Sequence, residues 1–279
     1  MKVIVKMRER VVSAMTLVLF LAAIVVFNRI FPPALNMAVA LVSVLGVYEI
    51  ILALGLARNL VLLIPSLLFA VAFPFLETAL ARGIAYFAYT VVIFGALIFN
   101  HAVITFREVG VIYSMCLLIP TALETLVRLR ELGGPHGMFY ALIGIFSAWI
   151  SDVGGYLAGS LFGRHKLCPS ISPKKTVEGV AGSFALNIAS MLLFGFVFQA
   201  IYYAEGVRVS YLSLFLIGLF GTVLSILGDL SFSLIKRSCH IKDFSEIIPG
   251  HGGILDRFDS VIFEAPFVYL LVQFLPIIK

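Results

Sequence analysis

The chain has 279 residues, 61% of them hydrophobic and only 13% charged, with a formal net charge of +5 and a mean hydropathy of +1.09. A soluble domain carries about a quarter charged residues and no succession of apolar runs near 20 residues, so the composition excludes a soluble globular protein. The three cysteines are too few and scattered for a disulfide framework, and a positive balance placed beside apolar runs is a mark of membrane topology and anionic lipid rather than of nucleic acid.

In chain order the apolar runs predict an all-α polytopic membrane protein of about nine transmembrane helices, at 11–28, 35–56, 60–76, 84–104, 109–127, 138–162, 180–203, 209–235 and 260–278. Each has the roughly 17–25 residues that crossing a bilayer as a helix requires. The first follows the basic start MKVIVKMRER and leads into NRIFPPA, not into a small-residue cleavage site, so it is read as a retained span. Glu49, Asn100, His101, Glu124 and Asn187 lie in or near spans and are read as interhelical hydrogen-bond partners or interfacial residues. Two connections stand out by length and charge, 163–179 and 236–259. Both lie in a C-terminal membrane region, 137–279, which follows an N-terminal region of about five spans, 1–136.

With the N-terminus inside, fourteen of the 20 lysines and arginines fall on the inner side, which places both long loops in the cytoplasm and the C-terminus outside. The two loops supply eight of the fourteen; without them the sides are even, and the N-terminal arm carries the orientation. Cys168 and Cys239 then sit in cytoplasmic loops as free thiols. A cytoplasmic site has access to nucleoside triphosphates.

The chemistry begins in the span 138–162. Its segment AWISDVGGYLAGSLFG repeats Ser151, Gly155, Gly159 and Gly163 every four residues, a small-residue face that lets another helix approach closely. Packing explains the glycines but not Asp152, an intramembrane carboxylate read as functional. The loop RHKLCPSISPKKTVEG follows, with Arg164, Lys166, Lys174 and Lys175; it is either a lipid-headgroup contact or a phosphate clamp. On the span 209–235, Ser225, Asp229, Ser233 and Lys236 form one polar stripe at helical spacing. A carboxylate at that depth is costly unless paired or holding a cation, so Asp229 is either a structural ion pair or a metal ligand. The segment SLIKRSCHIKDFSEIIPGHGGILDRFD then gathers Asp243, Asp256 and Asp259 with Lys236, Arg237, Lys242 and Arg257 around a Pro-Gly-His-Gly-Gly turn. Carboxylates suit hard divalent metals, while cations and glycine-freed N–H groups suit phosphate. No zinc ligand set, Walker loop or GxSxG elbow is present in the sequence.

That segment resembles the signature of the phosphatidate cytidylyltransferases (CDP-diacylglycerol synthases). Ser233, Lys236, Arg237, Lys242, Asp243, Pro249, His251, Gly252, Gly253, Asp256, Arg257 and Asp259 occupy the fixed positions of the pattern. The stretch from Ser151-Asp152 through the basic loop resembles the family's second conserved region, with Gly155-Tyr156 where relatives often have alanine before the tyrosine. The resemblance covers residues 147–260; the first five spans match only in general character.

The resemblance implies transfer of the cytidylyl group of CTP to phosphatidate, giving CDP-diacylglycerol and pyrophosphate. Mg²⁺ is then expected on Asp229 and Asp256, with Asp259 and Asp243 as further partners and a monovalent cation as an additional candidate. Asp229, Asp256, Lys236 and Arg257 become the catalytic candidates. Arg237 and Lys242 join Lys236 and Arg257 in holding phosphates, and Gly252 and Gly253 let the backbone approach the triphosphate. Lys174 and Lys175 close the other end of the cleft, and Ser233, His251 and Asp152 complete the substrate-binding set. The implied setting is the cell (inner) membrane with the site facing the cytoplasm, the partners CTP, phosphatidate, membrane lipids and a second copy in a homodimer. A CTP-dependent kinase of a polyprenyl or phytyl alcohol is the alternative enzyme, needing a base to activate a neutral hydroxyl. A transporter would show repeat symmetry and broken helices, and the sequence has neither.

Overall fold

The computed structural model describes residues 19, 21–28, 30–203, 206–248 and 252–278. Most of the predicted first span lies outside them; its residues 21–27 are helical. The following elements are α1 (Ala34–Ala53), α2 (Leu60–Ala72) with a 3₁₀ turn at Phe73–Phe75, α3 (Ala79–Phe99), α4 (Phe106–Leu132), α5 (Gly137–Phe162), the strands β1 (Lys166–Cys168) and β2 (Ser172–Thr176), α6 (Val177–Ile201), α7 (Tyr211–Ser238) and α8 (Leu255–Phe274). Helix is the expected outcome for apolar runs of this length, because a backbone in lipid must satisfy its own N–H and C=O groups.

Among the described residues six helical stretches are long and apolar enough to cross a membrane: α1, α3, α4, Gly134–Phe162, α6 and α7. This is a membrane protein by the length and composition of its helices. Two further predicted spans differ from expectation. The run 60–76 forms only 13 residues of α-helix before the 3₁₀ turn, and the run 260–278 starts its helix earlier, at Leu255, so that α8 takes in Asp256, Arg257, Asp259 and Glu264. The chain is also not purely α-helical. The basic loop folds into a hairpin, with Lys166 opposite Thr176 and Cys168 opposite Ser172.

The chain packs as two units. One contains the residues up to Val127 together with Ser238–Arg257. Its interior includes an aromatic ladder in which Phe69 stacks on Tyr89 at 4.8 Å and Tyr89 on Tyr113 at 5.9 Å. Ser66 pairs with the Tyr89 hydroxyl at 3.0 Å, which keeps that phenol from being buried unsatisfied. Gly46 of α1 lies against Leu255, where a Cβ would stand 2.9 Å from the leucine Cδ2. Opposite this interior, α3 leaves Phe87, Ile98 and Phe99 largely exposed, the surface a membrane helix presents to lipid.

The second unit comprises Arg128–Arg237 and Phe258–Lys279. The small-residue face predicted on α5 meets α6 directly. A Cβ on Gly154 would lie 2.7 Å from the Gly182 carbonyl oxygen, one on Gly155 2.7 Å from Ser183 Oγ, and one on Gly182 2.2 Å from the Ala158 Cβ. Only bare backbones can come this close, and dispersion between them replaces the hydrophobic drive that lipid removes. Gly228 brings α7 equally near to α8, its Cβ position being 2.6 Å from the Asp259 carbonyl oxygen. Buried Asn187 donates to Ser147 Oγ and Thr222 Oγ1, both at 3.0 Å, joining α5, α6 and α7. The interhelical role read for Asn187 from sequence is the one found.

Candidate functional site

In the second unit the polar residues of α5, β2, α7 and α8 converge. Thr176 ends the hairpin and caps α6, its Oγ1 accepting from Gly179 N at 3.1 Å. Glu178 in the first turn of α6 accepts from the backbone N–H groups of Arg164 (3.0 Å) and His165 (3.2 Å) and pairs with His165 Nδ1 at 2.6 Å. Both ends of the hairpin are therefore tied to the start of α6. Along a strand successive side chains alternate in direction, so Lys174 and Lys175, grouped by sequence, part company. Lys174 is exposed, while Lys175 is partly buried and places Nζ 2.5 Å from Asp229 Oδ2.

The stripe on α7 holds. Ser225, Ser233 and Lys236 are buried, and Ser233 Oγ donates to Asp229 Oδ1 at 3.2 Å. Asp259 of α8 is buried too, close enough to Asp229, Asp152 and Lys236 for their charges to act on it. Ser260 connects the carboxylates, its Oγ donating to Asp152 Oδ2 at 3.0 Å and its N–H to Asp259 Oδ1 at 2.8 Å. Three aspartates thus face two lysines in a partly buried cluster, where full ionisation of the carboxylates is costly unless a proton or a further cation shares the charge. The two readings left open for Asp229 meet here: it has an ion-pair partner, but that partner is Lys175 and the pair sits among further carboxylates.

In the first unit the glycine-bearing loop is held by two carboxylates. Asp256, in the first turn of α8, accepts through Oδ2 from Gly253 N (2.9 Å) and Phe244 N (3.0 Å). Glu49, fully buried on α1, accepts from Ser245 Oγ (2.5 Å), Ile254 N (2.9 Å) and Leu255 N (2.8 Å). Gly252 has φ +87°, a conformation that favours glycine, and pairs both ways with Ile248 across the turn at 3.0 and 3.1 Å. Lys242 and Asp243 are exposed, as is Arg237 at the end of α7, and Arg257 is half-buried. Pro249, Gly250 and His251 lie outside the described residues.

Oxygen donors line the acidic cluster of the second unit, the kind a hard divalent ion takes. Among the described residues, no three His, Cys, Asp or Glu side chains are grouped as a metal site would require. The donor type suits a hard divalent ion, but the described carboxylates are not grouped to hold one, and Lys175 sits on Asp229 Oδ2. Sequence reasoning missed Ser260, which falls where a polar loop was read as giving way to an apolar span. It also set Glu49 aside as an interhelical partner. The available signal was a single carboxylate in an otherwise apolar 20-residue helix.

The chain is similar to phosphatidate cytidylyltransferase of Bacillus subtilis (strain 168), 40% identical over 168 residues, which is 60% of each chain. It is similar to that of Aquifex aeolicus (strain VF5), 42% identical over 147 residues, 53% of this chain and 51% of the relative. For that of Haemophilus influenzae the figures are 40% over 135 residues, 47% and 45%. The matched stretch thus spans 60% or less of these relatives' own lengths. The model of the cytidylyltransferase family matches residues 8–275, nearly the whole length, and the chain belongs to that family.

Proposed function

We propose that this protein is a phosphatidate cytidylyltransferase, which transfers the cytidylyl group of CTP to phosphatidate and releases pyrophosphate. The observation that carries this reading is the similarity, at 40% and 42% identity, to relatives bearing that name. The partly buried Asp152–Asp229–Asp259 cluster with Lys175 and Lys236 supports it chemically.

In this reaction a phosphate oxygen of phosphatidate forms a bond to the α-phosphorus of CTP, and the bond from that phosphorus to the β-phosphate's bridging oxygen breaks. The nucleophile is a monoester oxygen already anionic at neutral pH, so no strong base is required. The barrier lies in bringing two polyanions together and in the charge on the departing pyrophosphate. Lys236, Arg237, Lys242 and Arg257 supply positive charge for the phosphates, and Lys175, fixed by the hairpin against Asp229, adds an ammonium at a defined position. Bound Mg²⁺ would neutralise phosphate charge, with Asp229 and Asp259 of the second unit as candidate ligands; Asp256 and Asp243, the other expected ligands, belong to the first unit. The diacyl chains remain in the bilayer, leaving the headgroup to reach the polar residues. The same reading takes the cell membrane as the location, the cytoplasm as the side of the site, nine spans with the N-terminus inside, a C-terminal catalytic region from residue 137 and a homodimer as the assembly.

The test is purified protein with phosphatidate, Mg²⁺ and each labelled nucleoside triphosphate in turn. CDP-diacylglycerol and pyrophosphate should form with CTP. Transfer of the CTP γ-phosphate to a polyprenyl or phytyl alcohol, with no cytidylyl transfer to phosphatidate, would overturn the reading in favour of a kinase.

A further inference from the structure

We infer that Glu49 is a positioning residue for the reaction: from α1 it holds Ser245 and the start of α8, and so places the neighbouring Lys242 and Arg257 for phosphate. The inference rests on the cytidylyltransferase reading above.

Three groups point at the Glu49 carboxylate, the Ser245 hydroxyl and the N–H groups of Ile254 and Leu255. All three are donors, which an ionised carboxylate, acceptor only, satisfies with its two oxygens. The Ile254 and Leu255 N–H groups open α8, where a helix has no carbonyls of its own to offer, and a negative charge at that end is favoured. The partners come from 196 to 206 residues away along the chain. Glu49 and Leu255 are buried, so the Leu255 N–H has little water to replace the carboxylate if it is lost.

Gly253 is built for this contact. A Cβ there would lie 2.6 Å from Glu49 Oε1 and 2.8 Å from Oε2, so any larger residue displaces the carboxylate. Its own N–H goes to Asp256 Oδ2, which also takes Phe244 N. Glu49 and Asp256 thus take five donors of this segment, Ser245 Oγ, Ile254 N and Leu255 N on Glu49 and Phe244 N and Gly253 N on Asp256. Asp256 holds the loop from within the segment, and Glu49 holds it to the apolar interior of the first unit. Without Glu49, Asp256 stays covalently in place but the turn that aims it and Lys242 loses its attachment.

The experiment compares wild type with Glu49→Gln, which keeps the size but replaces one acceptor oxygen with an NH₂ donor facing donors. Amide exchange of peptides covering residues 243–256 is measured on the whole protein in detergent micelles, beside kcat and KM for CTP and phosphatidate and the unfolding temperature. Exchange in this segment should rise at least tenfold and kcat/KM should fall at least tenfold, with exchange in α3 and α6 unchanged. Glu49→Asp, which keeps the charge at shorter reach, should recover part of both. Should Glu49→Gln not fold, Ser245→Ala removes one donor and should move both readouts in the same direction by a smaller factor. Unchanged exchange in the segment overturns the clamp, and raised exchange with undiminished kcat/KM overturns its role in the reaction. Absence of cytidylyl transfer by the wild type would instead refute the proposed function, and the exchange data would still decide whether Glu49 holds the loop.

Discussion

Lys174 and Lys175 are neighbours in sequence with opposite environments, one exposed on β2 and the other bonded to Asp229. Lys175→Glu would add a fourth negative group to the aspartate cluster and remove the ammonium that balances it. Its kcat/KM in mixed micelles should fall at least tenfold, about 1.4 kcal/mol of transition-state stabilisation. Lys174→Glu should stay within about twofold, since an exposed charge is screened and its surface contribution is shared with other basic residues. Equal losses from the two variants would mean that the hairpin contributes as a basic surface rather than through one placed ammonium. The Lys175–Asp229 side chains are about a quarter exposed, at 23% and 26%, so the pair adds little to stability by itself; its importance is positional.

At the scale of elements, the hairpin's position depends on α6, and α6 depends on close backbone contact with α5. Thr176→Ala removes the cap that accepts from Gly179 N and should cost about 1 kcal/mol, seen as a lower unfolding temperature in detergent together with reduced turnover. Gly182→Val is the stronger perturbation. Its Cβ would stand 2.2 Å from the Ala158 Cβ and 2.9 Å from the Gly154 carbonyl oxygen, so α6 must move away from α5, and overpacking of this kind costs about 1–3 kcal/mol or more. Thermal unfolding of the purified variant checks this; an unchanged midpoint would show that the interface tolerates separation. The two substitutions act on the reaction through the same route, displacement of Lys175 from Asp229.

For the whole molecule the testable quantity is orientation. Cys168 and Cys239 are free and half-buried, while Cys116 is buried, so the first two report on the hairpin and on the segment after α7. In sealed right-side-out vesicles a membrane-impermeant thiol reagent should label neither until the membrane is opened. Labelling of Cys239 from outside would reverse the orientation and remove access to cytosolic CTP. The charged residues of α8 show why a boundary read from an apolar run alone falls short, since that helix begins inside the polar signature.

Apolar runs of about 20 residues determine helices without tertiary help, because lipid leaves the backbone no other partner. The sequence by itself therefore determined that this is a helical membrane protein, and its small-residue repeat foretold the α5–α6 contact. The spacing Ser225–Asp229–Ser233–Lys236 likewise determined a polar stripe, since helical periodicity is local. Which groups meet that stripe was decided by tertiary structure alone. Lys175 arrives from a hairpin, Asp259 and Ser260 from α8, and Asp152 from α5, and a linear pattern carries no record of distances between segments tens of residues apart. Glu49 is the clearest case. Its sequence neighbours make it a lone carboxylate in an apolar helix, and only the fold, by placing the donors of Ser245, Ile254 and Leu255 against it, makes it the anchor of the signature loop.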